Sequence, residues 1–263
     1  MLKLRVAPIA PVDYLDYCED SKYQMALAQL VLEHPKDYGA TYRRWRSEGK
    51  YVMMDNGTAE RGAPLVPSEL ATAAEICDAN EVVLPDKLGD TEWTINAHQS
   101  ALDYEPLRRW KLMAVPQGSS WEGWCNCADT MVAKFGDRIH CWGIPKLAAG
   151  QPAFTTIQGR IPFVEHLLTL GLGGKIHLLG LAWSPLEVRI IADRFGHEEV
   201  RGVDSSLPWL AARHGVTFGN RGLLYRPSTW KFDPYDTTDS ETEWMVGHNI
   251  HMLYGYAMGR PQK

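Results

Sequence analysis

The sequence lacks an apolar run long enough to cross a membrane. The longest, Ile176 to Trp183 around His177, falls far short of the eighteen or so residues that a spanning helix needs. Nor does Met1-Leu2-Lys3-Leu4-Arg5 open an apolar export segment, because Pro8 and Pro11 soon interrupt the chain, and a cytoplasmic protein is expected. Cysteine is scarce. Five of them, an odd number scattered along the chain, imply reduced thiols rather than a disulfide framework. No Pro/Gly/Ser-rich linker, charge block or low-complexity tract divides the 263 residues, which favours a single domain over 1–263. Charge of one sign is not in large excess: Lys+Arg 27 against Asp+Glu 32 leaves −5. With 45% hydrophobic and 22% charged residues the chain can bury a core, which excludes disorder, collagen and coiled coil.

What is present is a recurrence. Short apolar runs, each closing on a polar residue or glycine, end at 55, 86, 117, 143, 180 and 204. The spacing is roughly thirty residues, the length of a βα unit rather than of a hairpin. Their near-continuous apolar character is that of parallel strands buried on both faces. Leu4 to Ile9 supplies a first strand, and 214–218 is read as an eighth. Amphipathic segments lie between, including Pro67 to Cys77 with Ser68 as cap and Ile161 to Leu170, and a last helix runs from about Ser240 to Tyr256. Eight strands alternating with helices make an α/β TIM (β/α)8 barrel with a C-terminal helix. An open doubly wound sheet is the rival, but its glycine-rich turn after the first strand is missing.

In such a barrel the chemistry sits at the C-terminal ends of the strands, which selects Asp55, Asp86, Gln117, Gly143, Gly180 and Asp204. Three acids converging on one mouth suit glycosyl chemistry, in which one carboxylate attacks or stabilises the anomeric carbon and another moves the proton of the leaving group. Asp after a strand is also a common turn former or cap, and Asn56-Gly57 and Gly118-Ser119 have turn chemistry as an equal explanation. Cys125-Asn126-Cys127 with Cys141 has the composition of a zinc site but not the spacing of one. Gly171 to Lys175 follows a helix and precedes a strand, the reverse of a phosphate loop, and reads as a helix stop. The stretch 205–232 holds no acid but carries Arg213, Arg221, Arg226 and Lys231 beside Tyr225 and Trp230, an asymmetry that suits a polyanion. Arg43, Arg44 and Arg46 with Tyr42 and Trp45 form a smaller basic cluster, and a solvated surface explains either group as well.

The strand ends, taken in order, resemble the tRNA-guanine transglycosylase superfamily. Met54-Asp55-Asn56-Gly57 is similar to the Asp-Ser-Gly-Gly segment that carries that family's general acid/base, and Val115-Pro116-Gln117-Gly118-Ser119 to its Val-Gln-Gly segment. Leu84-Pro85-Asp86 falls where the family has its base-reading Asp, and Gly143-Ile144-Pro145 where it has Gly-Leu-Ala. His177-Leu178-Leu179-Gly180 resembles Tyr-Leu-Met-Gly, and Gly202-Val203-Asp204-Ser205-Ser206-Leu207-Pro208 the nucleophile segment ending Asp-Cys-Val-Leu-Pro. Gly247-His248-Asn249-Ile250 echoes Glu-His-Asn-Ile, so the resemblance covers about residues 50 to 256.

The resemblance implies a glycosyltransferase in which Asp204 is the nucleophile and Asp55 handles the proton. Asp86, Gln117, Gly118, Gly143, Ile144, Leu179 and Gly180 would bind the base. It implies no zinc, because the Cys-x-Cys-x-x-Cys and His that hold the metal in tRNA-acting members are missing: no cysteine follows Cys141. Ala59 stands where those members stack an aromatic on the base. Short, zinc-less relatives from phages and bacteria exchange guanine in DNA for a 7-deazaguanine such as preQ0, and the chain resembles these more. DNA is thus the expected partner, held by Arg213, Arg221, Arg226 and Lys231. The alternatives are tRNA-directed exchange, a retaining glycoside hydrolase and, last, a non-catalytic nucleic-acid-binding barrel.

Overall fold

The apolar runs fold as eight parallel strands of one sheet in the order β1-β8-β7-β6-β5-β4-β3-β2, and α-helices surround them to make a TIM barrel. This is a computed structural model describing residues 4–146, 159–181, 184–219 and 229–259. The strands are β1 (Arg5–Pro8), β2 (Tyr23–Leu27), β3 (Tyr51–Asp55), β4 (Glu81–Val83), β5 (Lys111–Ala114), β6 (Cys141–Pro145), β7 (Ile176–Leu179) and β8 (Val200–Ser205). The helices are α1 (Ala28–Glu33), α2 (Tyr38–Ser47), α3 (Thr58–Arg61), α4 (Pro67–Cys77), α5 (Thr91–Asp103), α6 (Trp121–Phe135), α7 (Ile161–Thr169), α8 (Leu186–Arg194), α9 (Leu207–Arg213) and α10 (Ser240–Ala257). Among the described residues no helix is long and apolar enough to cross a membrane.

The expected strand at 214–218 is not one. Val216 N–H bonds back to the Ala211 carbonyl at 2.9 Å, which closes the end of α9, and Phe218 N–H donates to Asn249 Oδ1 of α10 at 2.6 Å. That backbone is already spent on a helix terminus and has none left for a ladder. The missing strand is β2. Gln24 interrupts its apolar run in the sequence, but the Gln24 amide is buried and donates to the Cys18 and Ser21 carbonyls at 2.7 and 2.8 Å. At the seam between β1 and β2, the Ser21 hydroxyl donates to the Val6 carbonyl at 2.7 Å.

Between β1 and β2 the chain makes the 3-10 segment Val12–Cys18 where the repeat would place an α-helix. The last helix, α10, compensates: it packs on β1, α8 and α9, and Leu4 N–H reaches the Ala257 carbonyl at 3.2 Å. Ser68, expected as a cap, lies inside the first turn of α4. Pro67 occupies the first helical position, and the Glu69 carboxylate accepts from Val66 N–H at 3.2 Å. Gly171 to Lys175 is the helix stop expected, with Gly171 and Gly174 at φ +75° and +73°.

Period-two alternation sends one set of strand side chains into the barrel and the other against the helices. At the C-terminal mouth the inward set includes Leu27, Asp55, Gln117, Leu179 and Asp204. Near the opposite end the interior is charged. Glu81, fully buried at the start of β4, pairs through both oxygens with Arg201 of β8, each bond 2.7 Å. A bulge makes this reach feasible: β8 holds one extra residue between the pairs Ile176↔Val200 and His177↔Gly202, and that residue is Arg201. Tyr51 Oη completes the group with a 2.7 Å bond to Glu81.

Candidate active site

Asp55, Asp86, Gln117, Leu179, Gly180 and Asp204 line one cavity of about 450 Å³ at the C-terminal face of the barrel. Six of the site residues expected from the sequence are thereby brought together. The cavity's other walls are largely aliphatic, with Ile9, Met25, Leu27, Val83, Val115 and Leu181, and Ala59 sits on its rim. Lys146, Lys87, Glu60, Asn56, Thr58, Ser205 and Ser206 add polar groups to the lining.

The three carboxylates occupy different surroundings. Asp204 is buried, and its Oδ1 meets His177 Nε2 at 3.0 Å and Gly180 N–H at 3.1 Å, while Oδ2 lies 3.2 Å from the same N–H. Gly180 can aim that N–H inward because it adopts φ +64°, which costs a glycine nothing. Asp86 is also buried. Its Oδ1 accepts from Asn56 Nδ2 at 2.6 Å and its Oδ2 from Gln117 Nε2 at 2.5 Å. Burial raises the Asp86 carboxyl above its usual range, and the Asn56, Gln117 and Thr58 donors act against the rise. Among the described residues Asp55 has one donor, Gly57 N–H at 2.8 Å to Oδ2. Desolvation first, then the charge of Glu60, then those of Asp204 and Asp86 push the Asp55 carboxyl well above the usual carboxylate range, and the single N–H only partly offsets them. Glu60 shares the effect: desolvation raises it, Lys146 opposes, and Asp204 adds to the rise.

His98, which the sequence did not single out, and Cys127 and Asn56, read there for zinc and turn chemistry, hold these groups in place. His98, fully buried on α5, sits between the Thr94 carbonyl at 2.9 Å and Val115 N–H at 3.1 Å. Burial lowers its imidazole to about 4, so it is neutral, and it fixes the segment leading from β5 to Gln117. Cys127 Sγ accepts from Gln117 N–H at 3.4 Å. Asn56 ties β3 to β4 by donating to the Leu84 carbonyl as well as to Asp86. Apart from the His98–Thr94 contact within α5, these pairings lie 10 to 31 residues apart in sequence, with no local pattern to announce them.

Three expected base-binding residues stand outside the cavity lining. Gly118 packs on the first turn of α6, where a Cβ would fall 2.3 Å from the Trp124 nitrogen, so its need is steric. Gly143 seats its neighbours: a Cβ there would come 2.7 Å from Leu179 Cδ1. Ile144 is fully buried, and its carbonyl accepts from Arg160 Nη1 at 3.1 Å. Arg160 also pairs with buried Glu187 at 2.6 Å.

The basic residues divide. Arg213 is bonded to Asp236 at 2.6 Å, an acid just beyond the acid-free stretch, and is already neutralised. Lys231 is exposed, Trp230 is buried with His214 stacked on it at 4.3 Å, and Arg221, Tyr225 and Arg226 lie outside the described residues. The second cluster is spent within the fold. Arg43 donates to the Glu75 and Ile76 carbonyls at the end of α4, Arg44 pairs with Glu19 and Glu48, and Tyr42 and Trp45 are buried.

For a metal, Cys125 and Cys127 stand two residues apart on α6, and side chains at that separation on a helix do not face each other. Burial raises both thiols to about 11, away from the thiolate that zinc binds. No group of three or more candidate metal ligands occurs among the described residues. No protein-family model matches the chain, and comparison with curated proteins finds no match.

Proposed function

We propose that the chain is a transglycosylase that replaces guanine in DNA with a 7-deazaguanine base through a covalent aspartyl-glycosyl intermediate. The observation that carries this reading is the unequal treatment of Asp55 and Asp204 within one cavity. A carboxylate held by two N–H donors is oriented as an acceptor and nucleophile, and a half-buried carboxyl crowded by negative neighbours is shifted toward its protonated form, as a proton donor requires. In the first half-reaction Asp204 forms a bond to C1′ as the glycosidic C–N bond breaks, and the base leaves with the proton of Asp55. In the second, the incoming base gives a proton to Asp55 and bonds C1′ as the aspartyl ester breaks.

The aliphatic part of the wall, including Ile9, Met25 and Val115, suits the face of a flat heteroaromatic base, whose polar edge meets the carboxyl and amide groups of the same lining. Asp86, with Gln117 bonded to it, reads the polar edge of such a base. A target in duplex DNA has to be extruded or already single-stranded. DNA is favoured over tRNA because the resembled zinc-holding segment has no counterpart after Asp204. Incubation with labelled guanine and either polymer tests the proposal. Label entering DNA is the expected outcome. Label entering only tRNA moves the substrate to tRNA, and loss of guanine from the polymer without entry of label makes the chain a hydrolase.

A further inference from the structure

We propose that His177 is a positioning residue for this reaction: its Nε2–H holds Oδ1 of Asp204 during attack and receives the returning charge when Asp204 leaves C1′. The inference rests on the base-exchange reading above. His177 is fully buried in β7, and its ring links two partners, Asp204 Oδ1 at 3.0 Å and Tyr23 Oη at 2.9 Å from Nδ1. A carboxylate can only accept, so Nε2 carries the hydrogen, and Nδ1 of a neutral ring then accepts from the Tyr23 hydroxyl. Burial keeps the imidazole neutral, and Arg201 just below, 5.6 Å from the Tyr23 ring centre, disfavours a second positive charge. Tyr23 is itself stacked on Tyr51, whose hydroxyl is bonded to Glu81. The donor beneath Asp204 is therefore fixed in both tautomer and direction by residues of β2, β3, β4 and β8.

The two carboxylate oxygens are unequal. Oδ1 has two donors and Oδ2 shares one of them, so Oδ2 is the oxygen free to attack. In the ester, Oδ1 becomes a carbonyl oxygen and a weaker acceptor. When the C1′–Oδ2 bond breaks, the electron pair returns to the carboxylate and is delocalised onto Oδ1, where His177 Nε2–H and Gly180 N–H meet it. Preorganised donors aimed at developing charge lower that barrier, each by about ten- to a thousandfold. The same donors stabilise the free carboxylate before attack, so losing one slows ester breakdown more than ester formation.

The test uses the full chain, a guanine-containing DNA oligonucleotide and labelled guanine. His177→Phe should lower steady-state exchange by about ten- to a hundredfold while raising the fraction of enzyme trapped as a denaturation-stable DNA adduct. His177→Gln, which keeps an N–H near the Nε2 position, should restore exchange toward wild type. Adduct falling in step with exchange in His177→Phe, or His177→Gln no better than His177→Phe, overturns the proposal. The 15N spectrum of histidine-labelled protein supplies a readout that needs no activity, and it stands even if His177→Phe fails to fold. The expected signature at neutral pH is an Nε2–H tautomer that persists in Tyr23→Phe and becomes a mixture in Asp204→Ala; an Nδ1–H tautomer or an imidazolium overturns the assignment. A wild type that shows neither exchange nor adduct with DNA or tRNA removes the base-exchange reading and the kinetic role together, and the spectrum then decides the Asp204 contact on its own.

Discussion

The two walls of the cavity treat their carboxylates in opposite ways. On the wall built by β7 and β8, Asp204 faces donors: a histidine anchored by a tyrosine, and a glycine N–H released by a left-handed backbone. On the wall built by β3 and β4, Asp55 faces other acids and a single donor. Environments that push like groups apart are how one site obtains both a nucleophile and a proton carrier. Asp86 is intermediate, satisfied by amides that can neither accept its charge nor move its proton.

The largest expected effects come from deleting these roles. Asp204→Ala should reduce exchange by roughly four orders of magnitude or more and abolish the trapped adduct, because no other group forms the bond to C1′. Adduct surviving in that variant would transfer the nucleophile's role to Asp55 and erase the contrast between the walls. Asp55→Asn should keep DNA binding but lose about a hundred- to ten-thousandfold in turnover, since an amide matches the shape yet cannot shuttle a proton. Turnover limited by a base with an ionisable leaving group should recover part of that loss, and a guanine analogue with a more acidic leaving nitrogen checks it. Asp86→Ala should be smaller and different in kind. It takes the acceptor from Gln117 Nε2 and one of two from Asn56 Nδ2, so discrimination between guanine and adenine analogues should fall by about ten- to a hundredfold with the adduct still forming. Unchanged selectivity would take Asp86 out of the base site.

How much of this was legible in the sequence depends on how far apart the partners lie. Asp55, Asp86, Gln117 and Asp204 could be found because each ends an apolar run and the runs repeat at βα spacing. β2 was hidden because Gln24 breaks its run, although in the fold that amide serves the short β1–β2 connection. Tyr23 and His177 are 154 residues apart and Glu81 and Arg201 are 120 apart, so no local pattern announces either pair. Arg201 enters the interior through a bulge, which shifts the alternation that a sequence reading relies on. Gly118 and Gly143 stand at strand ends as a ligand-binding glycine would, and close packing on Trp124 and Leu179 is a second reason for glycine there that the sequence did not announce. Composition also overstated the basic surface, since Arg213 has found Asp236 and Arg43 the end of α4.

The smallest effect, on stability, tests the contrast without any substrate. Asp55 has a raised carboxyl in the fold, so the native state holds its proton more tightly than the unfolded chain, whose aspartates titrate near about 3.9. Stability is therefore lost as pH rises from that range through the folded value, and above it the whole penalty is felt. Asp55→Asn removes the penalty. Its Tm should match wild type near pH 4 and exceed it at pH 8. Asp204→Asn should do the reverse. An amide either turns its own N–H groups toward His177 Nε2–H and Gly180 N–H or leaves one of them unmet, and an unmade buried bond costs about 1–3 kcal/mol, or roughly 2–12 °C. Thermal melts of both variants at pH 4 and pH 8 decide the matter. Opposite signs at pH 8 keep the two walls distinct, and shifts of the same sign would mean that Asp55 and Asp204 sit in equivalent surroundings and that their division of labour has no basis in the fold.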